Sequence, residues 1–175
     1  MPQYPYNADT GQTDLMGAAY NGDAKEVVRI LSMPCDIDAQ DDHGVTALMY
    51  AAIEGHTEVV RRLIEHEADL ELQSSSRRYS ALMYAVRGGH TSTVQALLAA
   101  KADPDVHDED DTFDTPLTLA ARSGFLPIVR ALVAAGADVS LRGSVWQLPA
   151  EAVARREGHH DISEFLLYHE KKPSG

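Results

Sequence analysis

The chain has 175 residues and a mass of 19.1 kDa, which suits one ordinary domain or a short repeat array rather than two large domains. Hydrophobic residues make up 44% and charged residues 24%, enough apolar material for a core without any apolar run of membrane-spanning length. The 27 acidic against 15 basic side chains leave a formal charge of −12. Such a field repels phosphate backbones and anionic lipid, so neither nucleic acid nor membrane is expected as a partner.

Residues 1–12 lack the basic start and apolar stretch of a secretory signal and read as a flexible tail, as do residues 171–175. Cys35 is the single cysteine. It excludes an internal disulfide and a cysteine-held zinc, and points to a reducing compartment, the cytoplasm or the nucleus.

From residue 13 onward a block recurs. It reads Thr13-Asp-Leu-Met-Gly-Ala-Ala, Thr46-Ala-Leu-Met-Tyr-Ala-Ala, Ser80-Ala-Leu-Met-Tyr-Ala-Val and Thr115-Pro-Leu-Thr-Leu-Ala-Ala, with a degraded copy at Pro149-Ala-Glu-Ala-Val-Ala-Arg. The starts are 33, 34, 35 and 34 residues apart, and self-similarity at that period predicts a stacked array. Thr46, Ser80 and Thr115 are placed to cap a first helix. Gly22, Gly55, Gly89, Gly124 and Gly158 stop it at its C-terminal end.

A second helix follows each glycine, with one apolar stripe: Val27, Ile30 and Leu31; Val60, Leu63 and Ile64; Val94, Leu97 and Leu98; Val129, Leu132 and Val133. Pro34-Cys-Asp36, Glu67-Ala-Asp69, Lys101-Ala-Asp103 and Gly136-Ala-Asp138 then lead into polar, turn-forming segments. Each unit is thus helix, turn, helix and extended finger. Leu15, Leu48, Leu82 and Leu117 should pack between neighbouring units, and Ala18, Ala51, Ala85 and Ala120 should let helices approach closely. In the last unit Glu151 replaces the leucine and Ser163 an inner valine, read here as capping of a water-facing end.

The Thr-x-Leu, Ala-Ala, Gly-His, Val-Val, Leu-Leu, Ala-Asp succession resembles the ankyrin repeat family over residues 13–169. Tetratricopeptide arrays have a different Trp/Leu-Gly/Tyr signature and no finger. The resemblance implies an all-α ankyrin-repeat solenoid of stacked helix-turn-helix units with extended β-hairpin-like fingers, filling residues 13–170 with repeats starting near 13, 46, 80, 115 and 149. It also implies that His56, His90 and His159 serve an inter-repeat hydrogen-bond network. Where many members carry a finger asparagine, hydroxylated in some, this chain has Asp38, Glu71, Asp105 and Ser140, which excludes asparagine hydroxylation there.

Other chemistry finds little footing. His159-His160-Asp161 lacks metalloprotease spacing, because adjacent side chains diverge. The acidic tract 103–114 has Asp108 where a calcium loop needs glycine. It is read as a solvated finger, with weak cation binding as an alternative. No phosphate loop or nucleophile elbow occurs.

Carried onto this sequence, the resemblance gives these partner-facing positions: Tyr20, Asn21, Asp42, His43, Val45, Ile53, Glu54, Arg77, Tyr79, Arg87, Phe113, Asp114, Arg122, Ser123, Trp146, Leu148 and Arg156. Tyr50 and Tyr84 occupy equivalent first-helix places, where half-buried packing is the expected role and an aromatic step on the groove wall the alternative. Acidic fingers, including Asp36, Asp38, Asp41, Asp42, Asp69 and Glu71, contrast with Arg77, Arg78, Arg87, Arg122, Arg142 and Arg156 toward the centre and far end. The expected function is a non-enzymatic, monomeric module without cofactor or metal. It binds another protein, one with a basic segment to meet the acidic fingers and a carboxylate or acidic turn near the arginines, and acts as adaptor or regulator by occupancy. A translocated effector or an enzyme-associated targeting subunit is the rival reading.

Overall fold

The computed structural model describes residues 11–107, 114–143 and 148–170. Among these residues ten helices run in pairs: α1 Asp14–Tyr20 and α2 Ala24–Leu31, α3 Ala47–Glu54 and α4 Thr57–Glu65, α5 Ala81–Arg87 and α6 Thr91–Ala99, α7 Pro116–Arg122 and α8 Leu126–Ala134, α9 Ala150–Arg156 and α10 His160–Glu170. First helices stack on first helices, α1 on α3, α3 on α5, α5 on α7 and α7 on α9. Second helices form a parallel outer layer from α2 to α10.

Helices of seven to nine residues do not persist alone, so local signals set only their ends. Thr13, Thr46, Ser80 and Thr115 each accept a hydrogen bond from the backbone N–H three residues on, that of Met16, Met49, Met83 and Thr118. At the other end Gly55 caps α3 in the left-handed region at φ 76°. That glycine has a second duty, because a Cβ there would sit 2.5 Å from the His90 ring of the next unit.

Packing supplies the stability. Leu15, Leu48, Leu82 and Leu117 are buried between units, and Ala51, Ala85 and Ala120 are wholly inaccessible. On the second helices Val27, Val60, Val94 and Val129 face inward with Leu63, Leu97 and Leu132. Ile64, Leu98 and Val133 lie half-buried at the edge of the stripe.

Two elements differ from the sequence reading. Glu151 and Ser163 are not turned to water: both are buried, and the Ser163 hydroxyl donates to Glu151 Oε1 over 2.7 Å. A matched polar pair therefore replaces the leucine–valine contact of the other units, and neither group is left unsatisfied. Gly11 and Gln12, assigned above to a flexible tail, sit against the second unit, where Gln12 Nε2 donates to the Tyr50 hydroxyl and Gly11 lies beside Asp42. Residues 1–10 and 171–175 lie outside the described residues.

The fingers are hairpin-like turns, and among the described residues one regular ladder occurs, in which Arg142–Gly143 pairs antiparallel with Leu148–Pro149, Gly143 opposite Leu148. In the second unit the turn is built on Asp41. Its Oδ1 accepts the N–H groups of His43 and Val45, each at 2.9 Å, and its Oδ2 accepts the Tyr50 hydroxyl at 2.7 Å. Asp41 is thus a buried organiser of the finger and not part of an acidic surface. Ser75 N–H donates to the His43 carbonyl, which ties this finger to the next.

Leu63→Ala should lower unfolding free energy by about 2–5 kcal/mol in a urea titration. Asp41→Ala should cost about 2–4 kcal/mol, because it strands three buried or half-buried donors at once. Tyr50→Phe, which removes only one of those donors, should cost less.

Candidate functional site

The groove side of the stack is made by the C-terminal ends of the first helices and by the fingers, and one column of side chains runs along it. Seven residues after each cap position stand Tyr20, Ile53, Arg87, Arg122 and Arg156. Tyr20, Ile53 and Arg122 are half-buried, whereas Arg87 and Arg156 are exposed.

The backbone of the same column holds the stack together. Nε2–H of His56 donates to the Tyr20 carbonyl at 3.0 Å, that of His90 to Ile53 at 2.9 Å and that of His159 to Arg122 at 3.1 Å. Each imidazole lies flat over a glycine of the preceding unit, Gly22, Gly55 and Gly124. The expected histidine network is therefore present, and it engages the column through main-chain carbonyls rather than side chains. At the third junction the ring is Phe125, which covers Gly89 but has no nitrogen to donate.

Of the other expected partner-facing residues, Asn21, Asp42, His43 and Ser123 are exposed, while Glu54, Arg77, Tyr79, Asp114 and Leu148 are half-buried. Val45 is a correction: it is 0% exposed and belongs to the core. The finger backbone turns at Gly44 so that the residue before the Thr46 cap enters the helix layer instead of the groove. Phe113 and Trp146 lie outside the described residues.

Tyr50 and Tyr84 form no groove step either. They are buried, with hydroxyls bonded to Asp41 and Ser74. The rings on the groove side are their edge-to-face neighbours, Tyr20 against Tyr50 at 6.1 Å and Tyr79 against Tyr84 at 5.5 Å.

Tyr79 marks the most charged part of the groove. Burial raises its phenol pKa, helped by Asp114 and opposed by Arg87, Arg77 and Arg122. Asp114 forms a half-buried ion pair with Arg122. Burial nevertheless lifts the Asp114 carboxyl above its ordinary range, against the pull of that arginine.

Sequence reasoning missed the duty of the acidic finger bases. Asp38 accepts the Asp69 N–H, Glu71 the Asp103 N–H and Asp105 the Asp138 N–H, each at 2.9 Å and each across a repeat boundary. Asp36, Asp69, Asp103 and Asp138 in turn accept the amide two residues on. These carboxylates are a ladder between units rather than a merely solvated charge run. Their spacing of two residues, repeated in the first three fingers as Asp36 and Asp38, Asp69 and Glu71, Asp103 and Asp105, was the available signal. Among the described residues no three His, Cys, Asp or Glu side chains converge as a metal site, and residues 108–113 of the acidic tract lie outside that description.

Residues 15–110 match a family model of ankyrin repeats in three copies, and residues 113–144 match a further single ankyrin repeat. The chain belongs to the ankyrin repeat family. Ankyrin repeats are generally protein–protein interaction modules and typically not enzymes. No curated protein matches the chain. The α9–α10 pair lies beyond the matched residues and continues the stacking on α7 and α8. No helix of the described residues is long and apolar enough to cross a membrane.

The ladder makes a testable statement about pH. Burial is the largest cause of a raised Asp105 pKa, so its ionised form weakens the fold. Its contribution to stability is fullest below the unfolded carboxylate value of 3.8 and is lost as pH rises through the raised folded value. Asp105→Asn keeps the acceptor for the Asp138 amide and removes the charge. It should raise the melting temperature at pH 7 by about 1–3 °C, more than the exposed control Asp42→Asn, and the gain should fade as the carboxyl protonates in acid.

Proposed function

We propose that this ankyrin array is a non-enzymatic module that binds a partner protein along the groove formed by its fingers and first-helix ends, and acts by occupancy as an adaptor or regulator. One observation carries the reading. The residues that build the stack use their backbone or buried side chains to do so, while the column from Tyr20 to Arg156 leaves its side chains exposed or half-exposed in register, one per unit. A continuous, rigid, regularly spaced row of side chains is a binding surface of the kind solenoids present.

The outer surface of α2 and α4 carries local helix pairs, Arg29 with Glu26, and Arg62 with Glu58 and Glu65, which satisfy one another within a single helix.

A triple substitution on the groove, Asp42→Ala, His43→Ala and Arg87→Ala, touches exposed positions and should leave the melting temperature within about 2 °C of wild type. Affinity capture quantified against wild type should show at least one specific partner lost with this variant and kept with an outer-layer control, Glu58→Ala, Arg61→Ala and Glu65→Ala. Equal retention by both variants would move the interface away from the groove.

A further inference from the structure

Arginine is distributed unevenly along the column. Tyr20 and Ile53 occupy it in the first two units and Arg87, Arg122 and Arg156 in the last three. Arg87 ends α5 and Arg122 ends α7, and these helices pack side by side. Arg77 joins them from the finger that carries Tyr79, two residues before it, and the positive charge of all three lowers the Tyr79 pKa against the effect of burial.

Three facts describe how this cluster is satisfied. Arg29, Arg62 and Arg155 are paired with carboxylates on their own helices, whereas among the described residues the side chains of Arg77 and Arg87, like those of Lys25, Arg61 and Lys101, make no ion pair or hydrogen bond. That is notable in a chain with 27 acidic side chains. Arg122 Nε is buried without an acceptor among the described residues, although the same side chain holds Asp114 through its terminal nitrogen. The single described carboxylate acting on Tyr79 is Asp114, already engaged by Arg122 and pushed by burial toward its neutral form.

We propose that Arg77, Arg87 and Arg122 around Tyr79 form a recognition site for a carboxylate-bearing segment of the partner protein, with acidic side chains spaced to meet successive units. This deepens the groove-binding reading and rests on it. Guanidinium forks take carboxylates in bidentate geometry, and the Tyr79 ring gives the segment an apolar surface beside the charges. Adjacent packed helices lie about 8–10 Å apart. A polyproline II segment brings every third side chain to one face at a spacing of about 9 Å. An extended acidic stretch of the form Glu-Pro-Pro-Glu therefore matches the Arg87–Arg122 step. The remaining negative charge of the chain disfavours a polyanion such as nucleic acid, which would cross the acidic second unit as well.

The test uses the full chain and a blocked peptide, Glu-Pro-Pro-Glu-Pro-Pro-Glu, titrated by amide NMR, with the glutamine counterpart and a DNA dodecamer as comparison ligands. Saturable shifts should appear at Tyr79, Arg87 and Arg122. Binding should weaken as salt rises from 50 to 500 mM and fall about tenfold or more in the Arg77→Glu, Arg87→Glu variant. Arg29→Glu, on the outer layer, should bind as wild type, and melting curves of both variants should show an intact fold.

Equal binding of the glutamine peptide, unchanged affinity in the double variant, shifts located elsewhere or tighter binding of the DNA would each overturn the proposal. So would binding that appears only after Asp108, Glu109, Asp110 and Asp111 are replaced by their amides, because the chain's own finger would then be the occupant. If the acidic peptide fails while groove substitutions still abolish partner capture, the carboxylate site falls and the groove interface stands.

Discussion

Close approach between successive first helices is the constraint on which the molecule depends. Ala51, Ala85 and Ala120 expose nothing to solvent, and a larger side chain at any of them would separate helix layers whose apolar faces have no other cover. No single pair can bury its own stripe, so every pair is stable only as a neighbour. The histidine rungs and the carboxylate ladder then act on a spacing that the alanines have already set. The rungs run from ring to carbonyl beside the groove, and the ladder runs from carboxylate to amide at the finger bases.

Because these two sets of bonds consume backbone groups, they divide the surface between structure and recognition. Ile53 gives its carbonyl to His90 and its side chain to the groove. Arg122 does the same for His159 while also holding Asp114. A residue in this column is positioned by the fold through its main chain, which leaves its side-chain identity open. That is why one scaffold can carry tyrosine and isoleucine at one end and arginine at the other without altering the stack.

The repeat, its caps and its histidine rungs were legible from the primary structure because each recurs at a fixed offset within the unit: Thr46, Gly55 and His56 in the second repeat, Ser80, Gly89 and His90 in the third. What was not legible depends on contacts between units. Val45 and Asp42 stand three residues apart in one polar finger, yet one is core and the other exposed, because the turn at Gly44 redirects the chain. Asp41 read as surface charge, since nothing local reveals that Tyr50 and two finger amides converge on it. Glu151 and Ser163 each looked like a concession to water. Only their pairing across the last helix hairpin shows two substitutions compensating one another.

Phe125 interrupts the series of rungs at the boundary between the third and fourth repeats, where its ring covers Gly89 by contact alone. In a one-dimensional array the coupling between adjacent units governs how far an opening spreads. This boundary is coupled through the Asp105 carboxylate to the Asp138 amide and through apolar contact at Gly89, without the ring-to-carbonyl bond of the boundaries on either side of it. A ligand gripping Arg87 and Arg122, one on each side of it, would add a further polar link across that boundary, and its grip would register as slower amide exchange in both the third and the fourth repeats.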